Sequence, residues 1–232
     1  MRKTIFLVPC MLVLGTALLQ AGDTAAFVDL GFSSDGRIYM FGQYGVQSET
    51  LRPWAELCVV DVSANDFVSG GRILYIHDAP VTAGQDGAGA LYRLVSRNAA
   101  LAERHGVGFL FQGKPLYVAS ASETVSSEES IAFRDFDNNA SYRARLSAQA
   151  EGTGANAASS FYIRLERQGA DLAPETYIVG NSRIQRPGVT GYRIRTVMTA
   201  PRGGYLVFVI ELKKQNRSGG VDFSYMIEAL KL

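Results

Sequence analysis

The amino-acid sequence predicts a mainly β protein of antiparallel sheets, arranged as a sandwich, a barrel or a propeller-like fold, with one helix near residues 87–105. Two segments, residues 142–150 and 161–167, alternate apolar and polar side chains with a period of two. That period places one face of each strand in the core and the other in water, as is typical of antiparallel sheets. Residues 205–212 are apolar except for Glu211, as expected of a central strand.

The first predicted element is a hairpin over residues 28–42. The turn pair Asp35 and Gly36 separates two apolar runs in this segment, and such a pair favours a tight connection between strands. A third strand is expected at residues 56–62. A last strand, at residues 221–230, again alternates apolar and polar side chains.

The single predicted helix is supported by the spacing of its apolar residues. Leu91, Leu94 and Val95 recur at helical intervals, and Leu101 continues the same face. Gly106 follows at the place where a helix often ends in the left-handed conformation. We therefore expect one amphipathic helix that packs against the sheets.

Composition and charge limit the class of protein. The chain has 232 residues, 47% of them apolar, and a formal net charge of +1. This length can bury a substantial core, and no biased stretch is long enough to be a linker, so we expect a single β-rich domain over residues 22–232. A nearly neutral chain lacks the electrostatic footprint of a nucleic-acid-binding protein.

Residues 1–21 have the three-part pattern of an export signal. Arg2 and Lys3 form a positive start, an apolar run covers residues 4–19, and Ala21 is the small residue after which we expect cleavage. The sequence therefore predicts a periplasmic or secreted protein that meets the membrane only through this segment. An uncleaved anchor is the alternative.

The sequence contains no recognisable catalytic motif. Cys58 lies in an apolar segment, which predicts a small buried side chain rather than a reactive thiol. His77 and His105 lack the spacing of a zinc site, and we expect structural roles for both. A nucleophile elbow, a phosphate-binding loop and a dinucleotide fingerprint are also missing from the sequence. We expect no catalytic residue set, metal site or cofactor, although whether the protein is an enzyme stays open.

Five arginines form the first candidate binding surface. They occupy the polar positions of predicted strands, and on neighbouring strands their guanidinium groups would suit carboxylate or phosphate ligands. A solvated outer face, with acids such as Glu166 interleaved, is the alternative. The arginines are Arg143, Arg145, Arg164, Arg193 and Arg195.

Aromatic residues near the first hairpin form the second candidate surface. Tyr44 and Trp54 each lie next to a turn-forming residue, and we expect them at a surface where they can recognise a partner. Tyr39 and Phe41 lie inside a predicted strand, and we expect them in the core.

Nearly the whole mature chain resembles a known family, most clearly at its two ends. The run Ala-Phe-Val-Asp-Leu-Gly-Phe-Ser-Ser-Asp-Gly-Arg at residues 26–37 and the segment at residues 41–46 resemble the opening of a family of predicted secreted bacterial proteins of unknown function. Residues 206–211 and 225–228 are similar to that family's end. The resemblance implies export and a β-rich domain, and it supplies no activity and no site residues.

A shorter segment resembles a repeat from another fold. Residues 31–37, 39–42 and 56–62 are similar to one repeat of the WD-like β-propellers of a periplasmic Tol-system protein. In that repeat an Asp-Gly pair forms the turn between two strands of a blade. The resemblance implies about one propeller blade, whereas a propeller needs about four or more.

The leading functional hypothesis is a non-catalytic exported module of the cell envelope that binds a protein or an anionic component, with its oligomeric state open. One alternative is an envelope hydrolase acting on glycan or peptide through clustered carboxylates, and another is a structural subunit of an envelope assembly. The hydrolase hypothesis requires a pocket with two or more of six acids. They are Asp29, Asp61, Asp135, Asp137, Glu211 and Asp222.

Overall fold

A computed structural model of the chain describes residues 23–82, 84–120, 128–153, 156–169, 173–216 and 220–232. The predicted export signal at residues 1–21 lies outside this part. Within it, strands form three antiparallel sheets that do not close into a barrel, and two short helices pack on one sheet. The predicted mainly β fold is therefore confirmed.

In chain order the elements are β1 (Ala26–Ser33), β2 (Ile38–Val46), β3 (Pro53–Asp61), β4 (Asp66–Ile76), α1 (Ala88–Arg97), α2 (Ala99–Arg104), β5 (Val107–Gly108), β6 (Lys114–Val118), β7 (Glu128–Asp135), β8 (Ala140–Glu151), β9 (Ala158–Gly169), β10 (Glu175–Pro187), β11 (Val189–Thr199), β12 (Tyr205–Gln215) and β13 (Val221–Lys231).

The three sheets stack face to face. The helix-side sheet has the strand order β4-β3-β2-β1-β5, the central sheet β13-β12-β11-β6 and the distal sheet β10-β9-β8-β7. The predicted hairpin over residues 28–42 is present as β1 and β2. Residues 31–62, which include the segment that resembles a propeller repeat, cover the end of β1, all of β2 and all of β3 in the helix-side sheet. Of the predicted arrangements (sandwich, barrel and propeller-like fold), the described part of the chain forms a layered sandwich.

The central sheet is buried on both faces, which explains the apolar sequence of β12. Phe208 and Ile210 pack against the distal sheet, whereas Val207 and Val209 pack against the helix-side sheet. A strand covered on both sides reads as a continuous apolar run, because it has no solvent-facing positions. The expected central strand is confirmed.

The helical segment differs from the prediction because it contains two helices instead of one. Asn98 lies between them with φ −115° and ψ 22°, outside the helical region. Its side-chain amide donates to the Leu94 carbonyl over 2.8 Å, and such local bonding by Asn competes with helix continuation. Gly106 ends the segment with φ +63°, as expected.

The helices cover the outer face of the helix-side sheet. Leu91 and Leu94 pack on Met40 and Leu57 there. The contact is close, since a Cβ placed on Gly42 would lie 2.6 Å from a methyl carbon of Leu91. The order of layers is therefore helices, helix-side sheet, central sheet and distal sheet.

Candidate functional site

A cleft of about 890 Å³ opens beside the edge strand β13 of the central sheet. Its two walls come from the flanking sheets: β3 and β4 on one side, and β10 on the other. Because β4, β10 and β13 are the edge strands of their sheets, the cleft lies where three sheet edges meet. Residues 224–228 of β13 form the floor of the cleft.

The helix-side wall combines polar and apolar side chains. Alternate residues of β3 face the cleft, while Ala55, Leu57 and Val59 face the helices. On β4, Leu74 is 61% exposed and Phe67 is 45% exposed. Apolar side chains this exposed on a concave wall offer contact area to a ligand. The wall consists of Trp54, Glu56, Cys58, Val60, Phe67, Arg72 and Leu74.

The opposite wall is the irregular part of β10. The pairing of β10 with β9 shifts register between Asn181 and Arg186, which places Ile184 on the cleft with 50% of its surface exposed. Arg186 stacks over the ring of Phe161, with 4.9 Å between its guanidinium carbon and the ring centroid. The bulge therefore adds a third exposed apolar side chain and a fixed cation to the cleft.

Two ion pairs lie in the cleft, one on each side of the floor. Arg72 Nε is 2.6 Å from Glu56 Oε1, and Arg186 is 3.4 Å from Glu228 Oε1. Each carboxylate also accepts from a side-chain amide, Glu56 from Gln43 and Glu228 from Asn65, both over 2.7 Å. Both acids are therefore already partnered by a guanidinium group and an amide.

Several groups that line the cleft have shifted pKa values, and Glu228 and Lys214 are shifted against their charged forms. Burial raises the pKa of Glu228 above its usual range, and the opposing effects of Asn65 and Arg186 are smaller. Burial also lowers the pKa of Lys214, another lining residue. Acids with raised and bases with lowered pKa values are concentrated at functional sites, because such sites hold ionisable groups away from water.

The same two amides bond to the floor of the cleft. The Tyr225 backbone N–H donates to Gln43 Oε1 over 2.8 Å, and Gln43 Nε2 donates to the Tyr225 carbonyl over 3.1 Å. Further along β13, the Ala229 N–H donates to Asn65 Oδ1 over 2.7 Å. Side chains from β2 and from the turn after β3 therefore bond to the free edge of β13.

The five predicted arginines do not share one face. Arg143, Arg145 and Arg164 are exposed on the outer face of the distal sheet, where Arg145 lies opposite Arg164. Arg193 differs from the expectation, because it is 5% exposed and forms an ion pair with Glu211. Arg195, on the same strand, is half-buried. Both belong to the central sheet, whose second face is covered by another sheet.

The two predicted surface aromatics lie on opposite faces of the helix-side sheet. Tyr44 packs against the cluster beneath the helices, whereas Trp54 lines the cleft. They therefore do not form one patch. The core positions of Tyr39 and Phe41 are confirmed, at 0% and 1% exposure.

The cysteine and the histidines occupy structural positions. Cys58 is buried as predicted, and burial raises the pKa of its thiol to about 12, so it remains protonated at neutral pH. His77 follows the end of β4 and lies 3.0 Å from the Tyr75 hydroxyl through Nδ1. His105 follows α2 at its C-terminal end.

The six acids of the hydrolase hypothesis are all among the described residues, and none of them lines the cleft. Asp135 and Asp137 share the turn between β7 and β8, where the Asp137 N–H donates to Asp135. Glu211 is paired with Arg193, and Asp222 accepts from the Asp23 N–H. The required gathering of these acids in one pocket is therefore not found.

Sequence reasoning missed the polar residues of the cleft. Gln43 meets Tyr225 across 182 positions of the chain, and Asn65 meets Ala229 across 164. Local residue spacing does not reveal contacts between residues so far apart in the sequence. One signal was available at Glu56, because a carboxylate inside an apolar strand needs a buried partner.

Fold and site together define a layered antiparallel β protein. A large cleft, lined by both polar and apolar side chains, lies where the edge strands of its three sheets meet. Within the described residues, no helix is both long and apolar enough to cross a membrane. Residues 40–231 match the family described as Predicted secreted protein (DUF2259), and the chain belongs to that family. The predicted family is thereby confirmed over these residues, which include residues 41–46, 206–211 and 225–228 but not the run at residues 26–37. The resemblance to a propeller repeat receives no support from the comparisons. No curated protein and no solved structure matches the chain.

Proposed function

We propose that this protein is a non-catalytic, periplasmic or secreted binding module that holds part of another envelope protein in the cleft beside β13. The observation that carries this proposal is the composition of the cleft. Exposed apolar side chains, Leu74 and Phe67 on one wall and Ile184 on the other, flank hydrogen-bonding groups on the floor. A concave site with apolar walls and a few placed polar groups is the usual form of a binding pocket.

The charges favour a protein ligand over an anionic one. The cleft arginines Arg72 and Arg186 are already paired with carboxylates, so an incoming phosphate would compete with them. On the distal sheet, the exposed Arg164 lies 3.5 Å from Glu166, which matches a solvated outer face with interleaved charges. Neither surface leaves a concentrated positive field for an anion.

The alternatives receive less support. A hydrolase would need its carboxylates free to act on a substrate, whereas Glu56 and Glu228 each accept from an amide and an arginine. The structural-subunit hypothesis stays a prediction, because no feature of the cleft bears on self-association.

A photo-crosslinking side chain in the full exported chain tests the proposal in the producing cell. We place it at Leu74 in the cleft and, as a matched control, at Ile178 on β10, which has nearly the same exposure and does not line the cleft. We expect a discrete protein adduct from position 74 and none from position 178. Equal adducts from both positions, or none from position 74, would overturn the proposal.

A further inference from the structure

We propose that the ligand is an extended polypeptide segment that adds to the central sheet as a new strand, pairing with the backbone of Ile227 on β13. This inference rests on the proposed binding function and specifies its ligand. The observation behind it is a gap in the hydrogen bonding along the free edge of β13, located on the floor of the cleft.

The backbone groups of Ile227 point away from β12. In an antiparallel pair, residues alternate between those that bond to the neighbouring strand and those that point outward. Tyr225 points outward, since both of its backbone groups bond to Gln43, and the Ala229 N–H points outward to Asn65. The register of β13 with β12 is regular here. Ile227 lies midway between these residues, so its N–H and C=O point outward too.

Ile227 is an unfilled position between occupied ones on this edge. The outward groups of Phe223 bond to the backbone of Asp23 and Ala25, over 2.8 Å and 3.0 Å. Both outward groups of Tyr225, and the N–H of Ala229, bond to amide side chains, as described above. The outward groups of Ile227 have no hydrogen-bond partner among the described residues, although this residue is 8% exposed and lines the cleft.

The flanking amides act as substitutes for a neighbouring strand. A glutamine amide offers both donor and acceptor groups, as a backbone residue does. Gln43 uses its oxygen and its amide nitrogen on Tyr225, and the same nitrogen also donates to Glu56. Proteins protect edge strands from pairing by covering or bonding them. The outward N–H and C=O of Ile227 lack such a partner among the described residues, and they lie on the floor of the cleft.

A polypeptide is the ligand class that fits this gap. A strand supplies an N–H and a C=O at the spacing that an edge requires. Its side chains alternate between two faces, so they would reach the helix-side wall with Phe67 and Leu74 and the opposite wall with Ile184. A segment longer than about three residues would also displace Gln43 and Asn65 and take over their bonds to β13.

Peptide binding to the full exported chain tests this inference. The probe is a phage-displayed library of ten-residue peptides, from which the tightest binder is synthesised with and without N-methyl groups on alternate backbone nitrogens. Methylation removes the donors of one strand edge and leaves the side chains unchanged. If strand pairing holds the peptide, methylation on the pairing edge should weaken binding about tenfold or more, because backbone hydrogen bonds are lost.

Two substitutions at one position supply the matched variants. Ile227→Pro removes the outward N–H without removing a bond to β12, and proline is tolerated at such edge positions. We expect it to weaken peptide binding about tenfold, whereas Ile227→Val should stay within about twofold of the unchanged chain. Should the proline variant fail to fold, the N-methylated peptides still decide the question.

The outcomes separate this inference from the proposed function. Strand addition is overturned if the peptide binds and Leu74→Asp weakens it, but N-methylation on either edge leaves the Kd unchanged. The cleft is then still a binding site. Strand addition is also overturned if no peptide is retained while position 74 still crosslinks to a protein. If position 74 forms no adduct either, both proposals fail.

Discussion

The two faces of the central sheet differ in kind. The face toward the distal sheet is filled largely by apolar side chains, among them Leu146, Phe161 and Phe208. The face toward the helix-side sheet also buries charged groups, including the Arg193–Glu211 pair. Buried ion pairs contribute little net stability compared with apolar packing. We therefore expect the first interface to contribute more to stability, whereas the second combines an apolar cluster with the polar groups that continue into the cleft.

The largest loss of stability is expected from a substitution in the apolar interface between the central and distal sheets. Phe208 is fully buried there, so Phe208→Ala should lower the free energy of unfolding by about 3–5 kcal/mol through lost transfer energy and a residual cavity. Chemical denaturation measures this loss, with Phe208→Leu as the milder control. A loss below about 1 kcal/mol would show that this interface is not the main source of stability.

A smaller loss of stability is expected when the carboxylate of the buried Arg193–Glu211 pair is neutralised. Glu211 accepts from the Tyr225 hydroxyl over 3.1 Å and lies 3.6 Å from Arg193. Glu211→Gln should therefore cost about 2–3 kcal/mol, since hydrogen bonds to a charged group are weakened.

The paired replacement of Arg193→Met with Glu211→Leu sharpens the contrast between the faces. It should restore the free energy of unfolding to that of the unchanged chain or above, because neither charge of this pair is then left buried without its partner. If the double variant is instead less stable than Glu211→Gln alone, the polar interface does contribute stability and the contrast is wrong.

The pH dependence of stability tests the polar side of the cleft. Burial raises the pKa of Glu228 above its usual value of 4.5, so the folded chain binds this proton more tightly than the unfolded chain does. Stability contributed by this group is therefore lost as pH rises from about 4.5 through the raised pKa. Denaturation midpoints between pH 4 and 8 should show that loss, and Glu228→Gln should reduce it. Parallel profiles for the two proteins would contradict the assignment.

The smallest stability effect is expected at the cleft wall. Leu74→Asp should change the free energy of unfolding by less than about 0.5 kcal/mol, because its side chain is largely exposed. Ile178→Asp is the matched control, with 59% exposure against 61%. Only the substitution at Leu74 should weaken peptide binding. Equal weakening by both would place the ligand outside the cleft.

The strands were largely predictable from sequence, whereas the site was not. Alternation in β8 and β9 identified strands with one exposed face, and the apolar run of β12 identified a buried one. Alternation alone cannot say whether a second sheet covers the polar face, which is why Arg193 was expected in solvent and lies buried. The cleft joins Gln43 to the C-terminal strand, and that contact depends on how the sheets stack rather than on local pattern.

Amide hydrogen exchange at Ile227 tests strand addition most directly. In the free chain this N–H has no hydrogen-bond partner among the described residues, so it should exchange faster than the bonded amides of Tyr225 and Ala229 on the same strand edge. Saturation with the selected peptide should slow exchange at Ile227 about tenfold or more. Unchanged exchange at Ile227 in the saturated protein would contradict pairing at this edge.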